Sequence, residues 1–122
     1  MRRTYEFIIC HHSATKRDTT RFEMVRDYHI QKGWQDIGYN WFVEAGKSCK
    51  GRDVTWAGAH CFADNMNYRS LGICLAGDFT KEQPTNFQVE ILKEKVREWQ
   101  KKYNIPNENI LGHCEAAGGC SS

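Results

Sequence analysis

The chain has 122 residues, 40% of them apolar and 26% charged, which suits one globular domain with its own core and excludes a disordered chain. Its formal net charge of +2 is too small to argue for a nucleic-acid partner. No apolar run reaches the roughly 18 to 20 residues of a membrane helix, and the apolar part of MRRTYEFIICHHSAT is too short for a signal peptide. The expectation is a soluble, monomeric protein made in the cytoplasm, with no membrane partner.

Residues 4–10, TYEFIIC, form an aromatic and β-branched run that ends at two histidines and reads as a buried strand. A helix follows in TTRFEMVRDYHIQKG. Thr20 and Glu23 have capping-box spacing, Phe22, Val25 and His29 share one face, and Gly33 supplies a left-handed stop. Residues 39–44, YNWFVE, make a second strand, and AGKSCKGR after it has the composition of a hairpin connection. SLGICLA at 70–76 is apolar on both faces and therefore central.

The clearest helix starts at PTNFQ, a second capping box, and runs to about Tyr103. Val89, Leu92, Val96, Trp99 and Tyr103 form one apolar stripe with Lys and Glu opposite, the pattern of a helix laid on a sheet. NILGH closes the series with a short apolar run. The resulting fold class is α/β, a mixed α+β arrangement with a central mixed sheet flanked by helices, and residues 1–122 read as a single domain.

In the absence of a signal peptide the six cysteines are expected to stay reduced. Cys10 and Cys74 lie in apolar runs and read as small core residues; Cys49, Cys61, Cys114 and Cys120 lie in polar or glycine-rich surroundings and stay open. Histidines gather at strand ends: His11 and His12 after the first strand, His60 before the third, His113 after the last. A catalytic zinc site commonly takes three protein ligands and leaves one position for water, and a histidine of the first strand end, His113 and Cys120 would meet that count. Of His11 and His12 only one can face a groove, and alternation alone does not say which. A cysteine protease using Cys114 or Cys120 with His11 or His12 as base is the other chemical option, although no helix N-terminus or oxyanion hole marks it.

The blocks IICHHSAT, KGWQDIGYNWFV, GRDVTWAGAHC, NYRSLGICLAGDF and ILGHCE occur in order and at similar spacing in the zinc-dependent N-acetylmuramoyl-L-alanine amidases. That family includes phage lysozyme-type amidases and peptidoglycan recognition proteins, and the chain resembles it from about residue 5 to residue 120. The resemblance implies a Zn2+ cofactor and bacterial peptidoglycan, glycan strand and stem peptide, as partner. It implies hydrolysis of the amide between N-acetylmuramic acid and L-alanine, as in a phage endolysin. His11 and His113 match the first two zinc ligands, Cys120 is the candidate third, and Tyr39 matches the catalytic tyrosine. His60 and Asn67 match groove-lining positions, and Trp56 is a candidate for stacking on sugar. Without the family, His60 and Asn67 read equally well as loop-stabilising residues.

The chain departs from the family pattern at its end. Cys114 stands where arginine is usual, His113 and Cys120 are seven apart rather than eight, and Gly118 stands where many active members have Lys or Thr. Two functions from different classes follow: a zinc amidase, or a module of the same fold that binds peptidoglycan without cleaving it.

Overall fold

The computed structural model describes residues 3–61 and 65–112. Among these residues eight strands and α-helices succeed one another, with a 3-10 turn at Asn107–Asn109 before the last: β1 (Phe7–His12), α1 (Phe22–Gln31), β2 (Trp41–Val43), β3 (Ser48–Lys50), α2 (Met66–Arg69), β4 (Ser70–Leu75), α3 (Asn86–Tyr103) and β5 (Ile110–Gly112). The five strands form one sheet in the order β3-β2-β4-β1-β5. β1 runs parallel to β4 and to β5, and β2 parallel to β4, while β2 and β3 form an antiparallel pair. The fold is the mixed α+β arrangement expected.

All six residues of β4 are buried, as its two-sided apolar sequence requires of a strand covered on both faces. Alternation divides the side chains. Ile8 of β1 and Leu71, Ile73 and Leu75 of β4 pack with Val43, Trp99 and Ile105, and Leu92, Val96 and Tyr103 of α3 lie against them. On the opposite face Cys74 joins Phe42, Ile37, Tyr39 and Ala76 beneath Phe22 and Val25 of α1. Ile9 packs there with Cys61 and Met66. Helices thus cover both faces of the sheet.

Capping holds α3 to the strand ends. Thr85 Oγ1 accepts from the Gln88 backbone N–H, and Gln88 Oε1 accepts from the Thr85 N–H, the reciprocal pair that the sequence predicts. Gln88 is fully buried, and its Nε2 donates to Val43 O at 3.1 Å, the last residue of β2, and to Ala76 O at 2.8 Å, just past the end of β4.

The first helix departs from expectation. α1 has Arg21 at its N-cap without a side-chain bond, and Thr20 Oγ1 instead donates to Lys16 O at 2.6 Å. The Phe22 N–H is taken by Glu44 Oε2 at 2.7 Å, a carboxylate from beyond β2. A buried charged acceptor at a helix N-terminus does what the local threonine was expected to do. Gly33, at φ +99°, ends the helix in the left-handed region as predicted.

Cys10, Cys49 and Cys74 are not disulfide-bonded, but Cys61 is. The expectation of uniformly reduced cysteines is therefore corrected. The spacing of a single cysteine carries no record of its partner, so the sequence left Cys61 open.

Candidate active site

In sheets with parallel strands, side chains become available for chemistry at the carboxyl ends of the strands. His11 and His12 are the last two residues of β1, paired in register with Cys74 and Leu75 at the end of β4. Their side chains diverge. His12 Nδ1 accepts from the Phe79 N–H at 3.1 Å and its ring stacks on Phe79. His11 is 5% exposed and lies on the α1 face, its ring centroid 5.2 Å from that of Tyr39. The geometry thus settles which histidine of the pair faces Tyr39.

Tyr39 owes its position to the loops before β2. Arg52 donates to Ile37 O, Asp36 O and Ala57 O, tying the two segments together, and Gly38 lies too close to the Ala59 carbonyl and the Trp34 ring to carry a side chain. Tyr39 is buried beside Cys74, and burial, with the Cys74 thiol adding to it, pushes its hydroxyl far above the ordinary phenol range. It is a neutral phenol at any physiological pH. Burial likewise pushes the Cys74 thiol up, so Cys74 stays a thiol.

His29 of α1 forms the next layer. Its ring lies 5.8 Å from Tyr39 and 4.5 Å from Trp34, and its Nδ1 accepts from the Gly38 N–H at 3.0 Å. Burial, with Lys32 and Arg52 nearby, lowers its pKa to about 4. It is a neutral structural histidine, as the helical pattern suggested.

A cavity of about 490 Å³ opens between the β1–α1 loop and α1 and reaches Tyr39; His12, Thr15, Lys16, Tyr28 and Lys32 are among its lining residues. The ammonium groups and the hydroxyls of this wall suit a polar, anionic ligand. Of these wall residues sequence reasoning singled out only His12, because a surface Thr, Lys or Tyr has no local signature of its use.

The remaining expected residues fall differently. His60 is 0% exposed and has no surface to offer a substrate; its Nδ1 lies 2.9 Å from His11 Nε2. Asn67 Oδ1 accepts from the His60 and Cys61 N–H groups, each at 2.8 Å. These bonds are those of the alternative reading, a loop held by local hydrogen bonds, and Asn67 is half-buried. Trp56 is 67% exposed, but the cavities it lines hold Arg52, Asp53 and Tyr68 rather than Tyr39. His113 and Cys120, with Cys114, lie outside the described residues. Among the described residues no three metal-binding side chains converge.

The chemistry of His11 fits a zinc ligand. It is a buried imidazole at a strand end with one ring nitrogen tied to a second histidine and the other, Nδ1, shielded from solvent, and metal-binding imidazoles are oriented in this way through their second nitrogen.

A mixed sheet, mostly of parallel strands and covered by helices on both faces, is the fold of the amidases and peptidoglycan-recognition proteins to which the chain is similar. The family model described as N-acetylmuramoyl-L-alanine amidase matches residues 1–122, and the chain belongs to that family. Among curated relatives it is 29% identical over 111 residues to the N-acetylmuramoyl-L-alanine amidase of Sus scrofa, covering 88% of this chain and 17% of that protein. It is 31% identical over 117 residues to peptidoglycan-recognition protein LB of Drosophila melanogaster, covering 88% and 50%. The chain thus spans half or less of the length of these two relatives. Among solved structures it is similar to the N-acetylmuramoyl-L-alanine amidase LysC from Clostridium intestinale URNW, with a TM-score of 0.80 and 28% identity over 91% of this chain and 71% of that one.

Proposed function

We propose that residues 1–122 act as one zinc-dependent amidase domain that cleaves the bond between N-acetylmuramic acid and L-alanine in peptidoglycan. The observation that carries this reading is the packing of His11 against Tyr39, the residue that lines the cavity, in a chain of the amidase family. His11, His113 and Cys120 would hold the metal. A bound zinc ion supplies Lewis acidity and a water molecule whose pKa falls to about 7.

The chain's own groups do the rest. Tyr39 keeps its proton, so its O–H can donate to an oxyanion as the carbonyl carbon becomes tetrahedral, without changing its own charge. Cys74 and the loops tied by Arg52 hold the phenol in place, which limits reorganisation during the reaction. Lys16 and Lys32 on the cavity wall would draw carboxylates of the stem peptide towards Tyr39. Trp56, outside that wall, would serve the glycan only as an outlying contact.

The second reading, a binding module without chemistry, draws support from the relatives named for recognition. Metal analysis together with a wall-binding assay separates the two. The amidase reading expects about one zinc per chain, reduced in His11→Ala, and solubilisation of purified walls. Sedimentation with walls that stay intact, by a protein without stoichiometric zinc, would favour the binding module.

A further inference from the structure

The burial of His60 raises the question of what an imidazole with no solvent contact is for. The answer lies in the order of protons along a short chain of hydrogen bonds. Ser70 Oγ lies 2.6 Å from Met66 O, and a carbonyl has no proton to give, so the serine hydroxyl donates there. Its lone pairs then face His60 Nε2 at 3.3 Å, which makes Nε2–H the donor to Ser70. A histidine with 0% exposure is disfavoured as a cation, so His60 carries one ring proton and its Nδ1 is an acceptor. The group 2.9 Å from that Nδ1 is His11 Nε2; it must carry the proton between them.

We infer that His60 is a positioning residue: the chain Met66–Ser70–His60 fixes His11 as its Nε2–H tautomer and leaves the lone pair on Nδ1, the nitrogen from which His11 would bind a metal ion. The inference rests on the proposed zinc reading for its use, but not for its proton order.

The fold around His60 is shaped to hold one ring orientation. A Cβ on Gly72, in the middle of β4, would lie 2.8 Å from His60 Cγ, and one on Gly58 would lie 2.7 Å from Cδ2. Both approaches are closer than any side chain tolerates, so two glycines form the slot for the ring. Asn67 accepts from the backbone N–H groups of His60 and Cys61 and fixes the loop that delivers it. A glycine inside a fully buried strand marks such a close approach, and Gly72 marks this one. Ring orientation, proton order and loop geometry thus converge on a single atom of His11.

The test is nitrogen-15 NMR of the histidine rings in the metal-free full chain at neutral pH, combined with zinc affinity measured by chelator competition. The expected spectrum has His11 and His60 both protonated on Nε2. His60→Leu, which keeps the apolar volume but offers no acceptor, should weaken zinc binding about 10- to 100-fold. His60→Asn, whose side-chain oxygen stands near the place of Nδ1, should recover most of that loss. A wild-type His11 protonated on Nδ1, or a folded His60→Leu with unchanged zinc affinity, would overturn the inference. If His60→Leu does not fold, the wild-type tautomers still decide. The predicted tautomers in a protein inactive on peptidoglycan would support the inference and count against the proposed function alone.

Discussion

At the scale of single residues, buried groups that stay neutral dominate the account. Tyr39→Phe removes only the donor, and it is expected to lower the turnover of peptidoglycan by about 10²- to 10³-fold with little change in wall binding; an equal loss of binding would contradict a role in the reaction. His29 links the same region to pH. Its folded pKa of about 4 lies below the unfolded value near 6.5, so the stability it contributes is present above pH 6.5 and is lost as pH falls towards 4. Denaturant midpoints should fall across that window in the wild type and less steeply in His29→Asn, which keeps an acceptor for the Gly38 N–H but does not titrate. His29 was legible in the sequence because helical spacing placed it on an apolar face. The inward burial of His60 was not, since it depends on a bare patch of sheet at Gly72 that only the register of β4 creates.

At the scale of elements, the two helix starts show what local pattern does and does not determine. Thr85 and Gln88 form their capping box while the Thr85 hydroxyl donates to Ala45 O and Gln88 reaches two strand ends, so tertiary bonds hold both side chains in place. Thr20 and Glu23 have the same spacing, yet Lys16 O claims the threonine hydroxyl and Glu44 claims the Phe22 N–H. Glu44→Ala should therefore destabilise the fold by about 1.5–3 kcal/mol, as for a hydrogen bond to a charged group, while Glu23→Ala stays within about 0.5 kcal/mol of wild type. Equal effects in urea unfolding would restore the local capping box. β4 was legible for a different reason: it is apolar on both faces, which only a central position satisfies, whereas β3 lies inside the segment read as a hairpin connection and α2 is a single turn with no periodicity to read.

At the scale of the whole molecule, the sheet brings the carboxyl ends of β1 and β4 together beneath α1, and the cavity of about 490 Å³ connects Tyr39 to a wall carrying Lys16 and Lys32. No helix among the described residues is long and apolar enough to cross a membrane. Cys61 adds a covalent tie that the expectation of reduced cysteines had argued against. Peptide mapping after alkylation under denaturing, non-reducing conditions should label Cys10, Cys49 and Cys74 and leave Cys61 unlabelled; labelled Cys61 would contradict the disulfide. The resemblance to the family was legible in ordered blocks spread along the chain, and the fold brings His11 of one block and Tyr39 of another into contact. The wall of the cavity was not legible, because it is assembled from loop and helix residues ordinary in composition, brought around one space only by the path of the chain between β1 and α1. The central claim is that these parts cut one particular amide, and the most direct measurement is end-group analysis of purified peptidoglycan digested by the zinc-loaded protein. The account predicts new amino-terminal L-alanine without new reducing sugar ends, both the activity and the product disappearing in His11→Ala; new reducing ends, or new amino termini from any residue other than alanine, would contradict it.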